Sequence, residues 1–301
     1  MKFAICGGTG FIGGALARYL EQSGDEVVLI SRTASGGGGR ERWKTVSWDD
    51  LDADLRTLEG LDAIVNLAGE SINQRWSDKA KRRILQSRLD TTEKLARLVA
   101  GLEHKPKVVV NGSAIGIYGT SETEVYDESR PVRASDFLSG VVESWEKAAD
   151  AIPVERIVKL RTGLVLGKEG GALPVMALPY KLFAGGRVGS GKQWMSWIHV
   201  YDIARLIRYC IERPEMSGPV NATAPNPVTN DSFGRALAAA LHRPHWFPVP
   251  GFVFRAVFGE MSELLLAGQQ VLPKSAVEHG FEFQYPTVDK ALQSIYGHGS
   301  H

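Results

Sequence analysis

Apolar residues run almost unbroken through "KFAIC" (2–6), "DEVVLIS" (25–31), "KTVSW" (44–48), "DAIVNLA" (62–68), "KVVVNGS" (107–113) and "ERIVKLRTGLVL" (155–166). Short Val/Ile/Leu-rich runs bounded by turn residues predict buried strands. Between them the apolar positions recur at helical spacing, through "FIGGALARYLEQSG" and over about 50–59, 77–101 and 136–151. "DFLSGVVESWEK" (136–147) is one such segment. Leu138, Val141, Val142 and Trp145 form its apolar stripe, and Glu143 and Glu146 are expected on a solvated side. Pro106 and Pro153 follow helical patterns and precede strands, where a helix stop is expected. Strand–helix alternation with nearly continuous apolar strands predicts an α/β fold. Its parallel sheet would be doubly wound and covered on both faces.

The rhythm changes after Gly167. "EGGALPVMALPYKLFAGGRVGSGKQ" (169–193) is rich in Gly and Pro. "WMSWIHVYDIARLIRYCIERP" (194–214) predicts a strand and a helix that return to the sheet, and "GPVNAT" (218–223) a last strand. Beyond Ala224, helical patterns ("NDSFGRALAAALHR", "FVFRAVFGEMSELLLAG", "PKSAVEHG") alternate with Pro-rich turns. The expected division is a Rossmann-like domain over 1–167, to which 194–223 returns. A smaller, discontinuous substrate-side domain would comprise 168–193 and 224–301.

Composition narrows the function classes. Lys+Arg 35 against Asp+Glu 34 gives a net charge of +1, with no electrostatic case for nucleic acid or an anionic membrane surface. No apolar run approaches the roughly 20 residues needed to span a bilayer, and "MKFAICGG" is not patterned as a signal peptide. Cys6 and Cys210 are too few and too distant for a disulfide framework or a metal site. A cytoplasmic protein with a small-molecule substrate is the expectation.

The most specific chemistry lies in "GGTGFIG" (7–13), where Gly7, Gly10 and Gly13 give GxxGxxG with Gly8 added. One glycine permits the strand-to-helix turn, one lets backbone approach a pyrophosphate, and one lets the helix pack on the strand. The helix N-terminus then offers free N–H groups to the phosphates. Residues 7–13, including Thr9, Phe11 and Ile12, are the expected dinucleotide contact. The end of the second strand selects the nucleotide. A carboxylate there would hydrogen-bond a ribose 2′-hydroxyl. "ISRT" has Ser31 and then Arg32 instead, and an Arg fork suits a 2′-phosphate. Arg40 and Arg42 lie beyond "GGGG" (36–39), read as a flexible loop, and are candidates to assist. NADP(H) is therefore expected, with NAD(H) the alternative.

"GGTGFIG", "NLAG" (66–69), "GSAIGIYG" (112–119) and "SWIHVYDIA" (196–204) resemble the extended branch of the short-chain dehydrogenase/reductases, which includes sugar-nucleotide epimerases and dehydratases. "INQRW" (72–76), "RTGLVLGKEGGAL" (161–173), "NATAPNPVTN" (221–230) and "GEMSELLLAGQQVLP" (259–273) narrow this to its atypical "epimerase family" subgroup, which carries an extra C-terminal domain of unknown function. The resemblance implies that Asn66, Leu67, Ala68 and Gly69 end a strand beside the cofactor ribose. It implies also that the loop after Leu164 passes near the nicotinamide, and that two helices, one of them 136–151, can pair subunits into a homodimer.

The same resemblance marks departures. The catalytic Ser slot holds Ala114, with Ser113 in the slot before it. The Tyr slot aligns with Leu138, the Lys slot with Val142, and a common Asn with Arg88. In such enzymes the Tyr is the general acid or base and the Lys lowers its pKa; Leu and Val do neither. Tyr118 and Ser113 are the candidate replacements, each with a purely structural alternative. Arg161 is a candidate anion clamp or a partner for a structural carboxylate. Gln193, Trp194 and Lys181 are candidate substrate contacts, the alternatives being core packing and an exposed Lys. His199 reads as structural and Asp202 as a helix cap. "GRVGSGKQ" (186–193) nearly matches a P-loop, but Gln193 replaces the Mg²⁺-binding hydroxyl and a strand pattern follows. The expected function is an oxidoreductase on a small polar carbonyl compound. A cofactor-dependent sensor is the alternative, and a nucleoside-diphosphate-sugar epimerase, which needs the missing acid/base, is a third.

Overall fold

The computed structural model describes residues 1–33, 43–132, 134–252 and 259–297. Arg40, Arg42 and the "GGGG" loop lie outside the described residues, as does part of the "FVFRAVF" pattern. Along the chain run β1 (Lys2–Cys6), α1 (Phe11–Gln22), β2 (Glu26–Ser31), β3 (Lys44–Ser47), α2 (Trp48–Ala53), β4 (Ala63–Asn66), α3 (Asp78–Ala100), β5 (Val108–Ala114) and β6 (Val125–Tyr126). Then come α4 (Phe137–Ala149), β7 (Arg156–Thr162), β8 (Leu164–Leu166), α5 (Leu173–Lys181), β9 (Trp194–Met195), β10 (Trp197–His199), α6 (Val200–Glu212), β11 (Gly218–Ala222), β12 (Val228–Thr229) and α7 (Asn230–Leu241). The strand Gln270–Val271 and the helices Lys274–Glu278 and Val288–Tyr296 follow.

Seven parallel strands form the main sheet in the order β11-β7-β5-β4-β1-β2-β3. The chain leaves β1 toward β2 and β3, then returns to β4 on the other side. That reversal opens a crevice at the carboxyl ends of β1 and β4, where ligands bind in such sheets. Both faces are buried because strand side chains alternate. Phe3 and Ile5 join one core with Leu16 and Leu20 of α1 and Leu206 and Ile207 of α6. Ala4 and Cys6 join the other with Leu95 and Leu98 of α3 and Ala149 of α4. A third cluster gathers Leu173 and Tyr180 of α5, Phe233 and Leu237 of α7, and Leu292 of the helix Val288–Tyr296.

Three expectations are corrected. "ERIVKLRTGLVL" is two strands, not one, broken at Gly163, where a Cβ would lie 2.6 Å from the Ser196 carbonyl oxygen. The break frees β8 to pair with β10 outside the main sheet, so β10 does not return to it, although α6 and β11 do. The helix expected over 50–59 is the six-residue α2 followed by a 3₁₀ turn, Leu55–Leu58, whose N-cap is Asp54. Among the described residues no helix is long and apolar enough to cross a membrane.

Candidate functional site

The turn from β1 to α1 is built around its glycines. Gly7 has φ +77° and packs so closely on the end of β4 that a Cβ would meet Leu67 and Ala68 backbone at 3.0 Å. A Cβ on Gly13 would lie 2.4 Å from the Gly7 carbonyl oxygen, and one on Gly8 would lie 2.4 Å from Leu29. Gly10 closes the turn by donating to the Gly7 carbonyl at 3.0 Å and is the N-cap of α1. No side chain caps α1 and its first turn holds no acid, so its leading N–H groups are available to an anion. Thr9 and Gly10 are exposed beside it. Phe11 carries the loop after β8: Cβ atoms on Gly167, Gly170 and Gly171 would come within about 3 Å of its ring, and Arg18 pairs with Glu169 at 3.2 Å. Ile12 is half-buried.

At the carboxyl end of β2 the Ser31 hydroxyl turns back to the Thr33 carbonyl. Arg32 is exposed, with no hydrogen bond or ion pair among the described residues. Across the crevice, β4 ends in a polar knot. Asn66 Nδ2 donates to Asn111 Oδ1 at 2.7 Å and to Thr92 Oγ1 at 3.2 Å, and Trp145 Nε1 donates to the same hydroxyl at 3.1 Å. The Asn66 side chain therefore faces inward, leaving backbone at Leu67, Ala68 and exposed Gly69 to line the strand end. Arg88 of α3 sits on this knot, its guanidinium 5.1 Å from the Trp145 ring. On α4, Val142 packs with Ile117 and Tyr118, and Leu138 lies beside Gly116, where a Cβ would be 3.8 Å away.

The register of the sheet aligns Ser113 of β5 with Arg161 of β7 and Asn221 of β11. These three form a buried polar row completed by Glu146 of α4 and by Tyr118. Arg161 holds Glu146 through both oxygens, Nε to Oε1 at 2.8 Å and Nη2 to Oε2 at 2.9 Å. Ser113 Oγ donates to Glu146 Oε1 at 2.6 Å. Arg161 Nη1 donates to the Tyr118 hydroxyl, which donates onward to Asn221 Oδ1, each at 2.9 Å. Burial works against the Arg161 charge, but the Glu146 hydrogen bonds and charge outweigh it and hold the guanidinium above its ordinary pKa. Burial also raises the Tyr118 phenol, against the pull of Arg161. Glu146 is thus not on a solvated face: it is 7% exposed and paired. Its signal was its spacing, four residues after Val142 on the apolar stripe. Glu128, also unforeseen, accepts from the Asn221 amide at 2.8 Å, and burial raises its carboxyl pKa.

Residues 3–137 match the NAD dependent epimerase/dehydratase family, and residues 249–295 match a domain of unknown function, DUF1731. The epimerase family protein YfhF of Bacillus subtilis (strain 168) is 44% identical over 298 residues, 98% of each chain. The chain belongs to the NAD-dependent epimerase/dehydratase family. The human epimerase family protein SDR39U1 (isoform2), solved with NADPH, superposes with a TM-score of 0.90 at 38% identity, over 99% of this chain and 100% of that one. A nucleoside-diphosphate sugar epimerase of Corynebacterium glutamicum aligns at 31% identity with a TM-score of 0.78, over 99% of this chain and 58% of that one.

The remaining candidates in this family member have partners of their own. Trp194 Nε1 donates to the Glu122 carbonyl at 2.9 Å. Gln193 is buried, and its side chain donates to the Val188 carbonyl. Leu164 is half-buried, and its backbone N–H donates to the Ser196 carbonyl at 2.8 Å. The Lys181 ammonium lies over the Tyr296 ring at 5.6 Å. The "GRVGSGKQ" stretch is a pair of glycine turns, Gly189 and Gly191, that runs into β9, so no helix faces a phosphate there. Asp202 does not cap α6. His199 does, accepting from the Tyr201 amide at 3.1 Å, while Asp202 accepts from the Gln284 and Tyr285 amides at 2.9 and 2.8 Å.

Proposed function

We propose that the chain is an NADP(H)-dependent oxidoreductase acting on a small polar carbonyl compound at the carboxyl ends of β1, β4 and β5. The observation that carries this reading is the uncapped N-terminus of α1 behind glycines that admit no Cβ. Backbone that close to a helix end suits a pyrophosphate. Arg32, exposed and unpartnered among the described residues, suits a 2′-phosphate, and the NADPH of the human relative supports the same choice. In this reading the cofactor supplies a hydride when bound. Gly7 to Gly13 hold its pyrophosphate and Leu67 to Gly69 wall its ribose. Ser113 and Tyr118 are the hydroxyls that would serve the carbonyl oxygen. Each is already committed, to Glu146 and to Asn221, so delivering a proton requires exchanging that bond for one to the substrate. Those commitments, with apolar Leu138 and Val142 on α4, favour a second reading: an NADP(H)-dependent sensor without turnover.

Fluorescence titration with NADPH and NADH tests the cofactor assignment. Arg32→Glu is expected to lower the NADPH/NADH affinity ratio at least tenfold; an unchanged ratio rejects it. NADPH absorbance followed against a carbonyl panel separates the two readings. Turnover that Tyr118→Phe abolishes supports the enzyme, and tight NADPH binding without turnover supports the sensor.

A further inference from the structure

The buried row and the knot above β4 each hold one guanidinium, and the two are used differently. Arg161 closes its Nε–Nη2 edge on both oxygens of Glu146. Arg88 is anchored through Nη1 alone, which donates to the Glu70 carbonyl at 3.0 Å and to the Ile84 carbonyl at 2.9 Å. Its Nε and Nη2 make no hydrogen bond among the described residues. The guanidinium is fixed on its faces, by the Trp145 ring at 5.1 Å and by Gly69, where a Cβ would lie 3.2 Å from Cζ. Gly69 is therefore small because Arg88 fills the space a side chain would take.

Among the described residues no carboxylate hydrogen-bonds Arg88. The charge of Glu70 favours the guanidinium, but burial outweighs it, and Glu70 directs Oε1 to Gln74 Nε2 at 3.3 Å and to Arg83 Nε at 3.6 Å. A half-buried cation without a hydrogen-bonded counter-ion is costly to hold. This one is held between Trp145 and Gly69, beside the carboxyl end of β4 where doubly wound sheets take their ligands, with its Nε–Nη2 edge unbonded among the described residues. The anionic parts of the cofactor are assigned elsewhere, to the glycine turn and to Arg32. Arg88 thus presents a second anion site with the planar fork geometry that matches a carboxylate.

We propose that Arg88 binds the carboxylate of the substrate, which makes the substrate class a small carbonyl compound bearing a carboxylate, a short oxo acid. The proposal rests on the oxidoreductase reading above. Arg88 then fixes the substrate through one carboxylate, in bidentate contact with Nε and Nη2, and leaves its carbonyl beside the end of β5.

Calorimetric titration of the NADPH-loaded protein with pyruvate, 2-oxobutanoate and methyl pyruvate tests this. The acids are expected to bind saturably and the ester at least tenfold more weakly. Arg88→Lys keeps the charge without the fork and should weaken acid binding about tenfold, and Arg88→Gln more, as loss of charge-assisted hydrogen bonds implies. NADPH affinity should stay within about twofold in both variants, and circular dichroism should show native folding. Acid binding unchanged in folded Arg88→Gln overturns the proposal. So does a wild type that binds none of the acids or does not prefer acid to ester. NADPH affinity lost in both variants with acid binding intact also overturns it, assigning the edge to the cofactor. If wild type fails to bind NADPH, the oxidoreductase reading falls, and the same acid titrations on the unloaded protein still decide the role of Arg88.

Discussion

At the scale of single residues, contacts between backbones are the least forgiving. Gly13→Ala places a methyl 2.4 Å from the Gly7 carbonyl oxygen and 2.8 Å from Gly8 Cα, neither of which can rotate away. The helix must shift, at a cost of about 1–3 kcal/mol, and NADPH affinity is expected to fall at least tenfold. Gly14 is the control. A methyl there meets nothing closer than 3.5 Å, inside a helix. Gly14→Ala should stabilise by up to about 1 kcal/mol and leave NADPH titration unchanged. Equal loss of NADPH binding in the two variants would contradict the cradle. Glu146 is the other sensitive position. Glu146→Gln leaves the Arg161 charge buried without its counter-ion, and breaking a buried pair in this way costs about 3–5 kcal/mol. A urea midpoint within error of wild type would show that the row adds no such stability.

At the scale of elements, the junction of β10 and α6 is pH-sensitive. Burial pushes His199 from 6.5 down to about 4. Its ring is fixed by the Tyr201 amide on Nδ1, by Ser294 Oγ at 3.2 Å from Nε2, and by the Tyr285 ring, tilted at 40° with its centroid 4.0 Å away. Between pH 6.5 and 4 the unfolded chain binds the proton and the native chain does not. Stability therefore falls as pH falls through that window, by about 3 kcal/mol in all. His199→Gln is expected to remove that slope in urea titrations at pH 7, 6 and 5, and an unaltered slope would refute the assignment. The same region shows what periodicity conveys. The strands and glycine turn were legible because burial on both faces demands unbroken apolar runs, and the turn demands residues without Cβ. The breaks were not. Gly163 divides β7 from β8 because Ser196 approaches it from thirty-three residues away, and no local pattern records that. Asp202 resembled a cap because its partners, Gln284 and Tyr285, are remote in sequence. Glu146 was partly legible: helical spacing put it on the apolar stripe, but only the register of β7 supplies Arg161 to pair with it.

At the scale of the whole molecule, the C-terminal piece completes the interior. The segment 268–273 crosses the carboxyl end of the sheet. Gln269 donates to the Ile115 carbonyl at 3.1 Å, and Ser196 is held from both sides by the Gln269 carbonyl and the Val271 amide. Asn221 Nδ2 donates to the Leu272 carbonyl at 2.9 Å. Gln270–Val271 pairs with β6, and Phe281 packs into the core shared by α1 and α6. Lys81 of α3 pairs with Glu260 across the sequence. Removing residues 268–301 would strip the fully buried Asp202 of two amide donors and Asn221 of a carbonyl, and would bare the core residues that Val271 and Phe281 cover, among them Ile117 and Leu206. Each orphaned buried polar group costs about 1–3 kcal/mol, and domains are stable by only about 5–15 kcal/mol in total. The truncated chain 1–267 is therefore expected not to fold cooperatively, and saturating NADPH is not expected to rescue it, because a ligand at even a thousand times its Kd adds only about 4 kcal/mol. Soluble yield and a near-ultraviolet dichroism melt would decide this. A truncated chain that melts within a few degrees of the full protein would mean that the segment is an appendage, and that the polar row of Ser113, Arg161 and Asn221 stands without it.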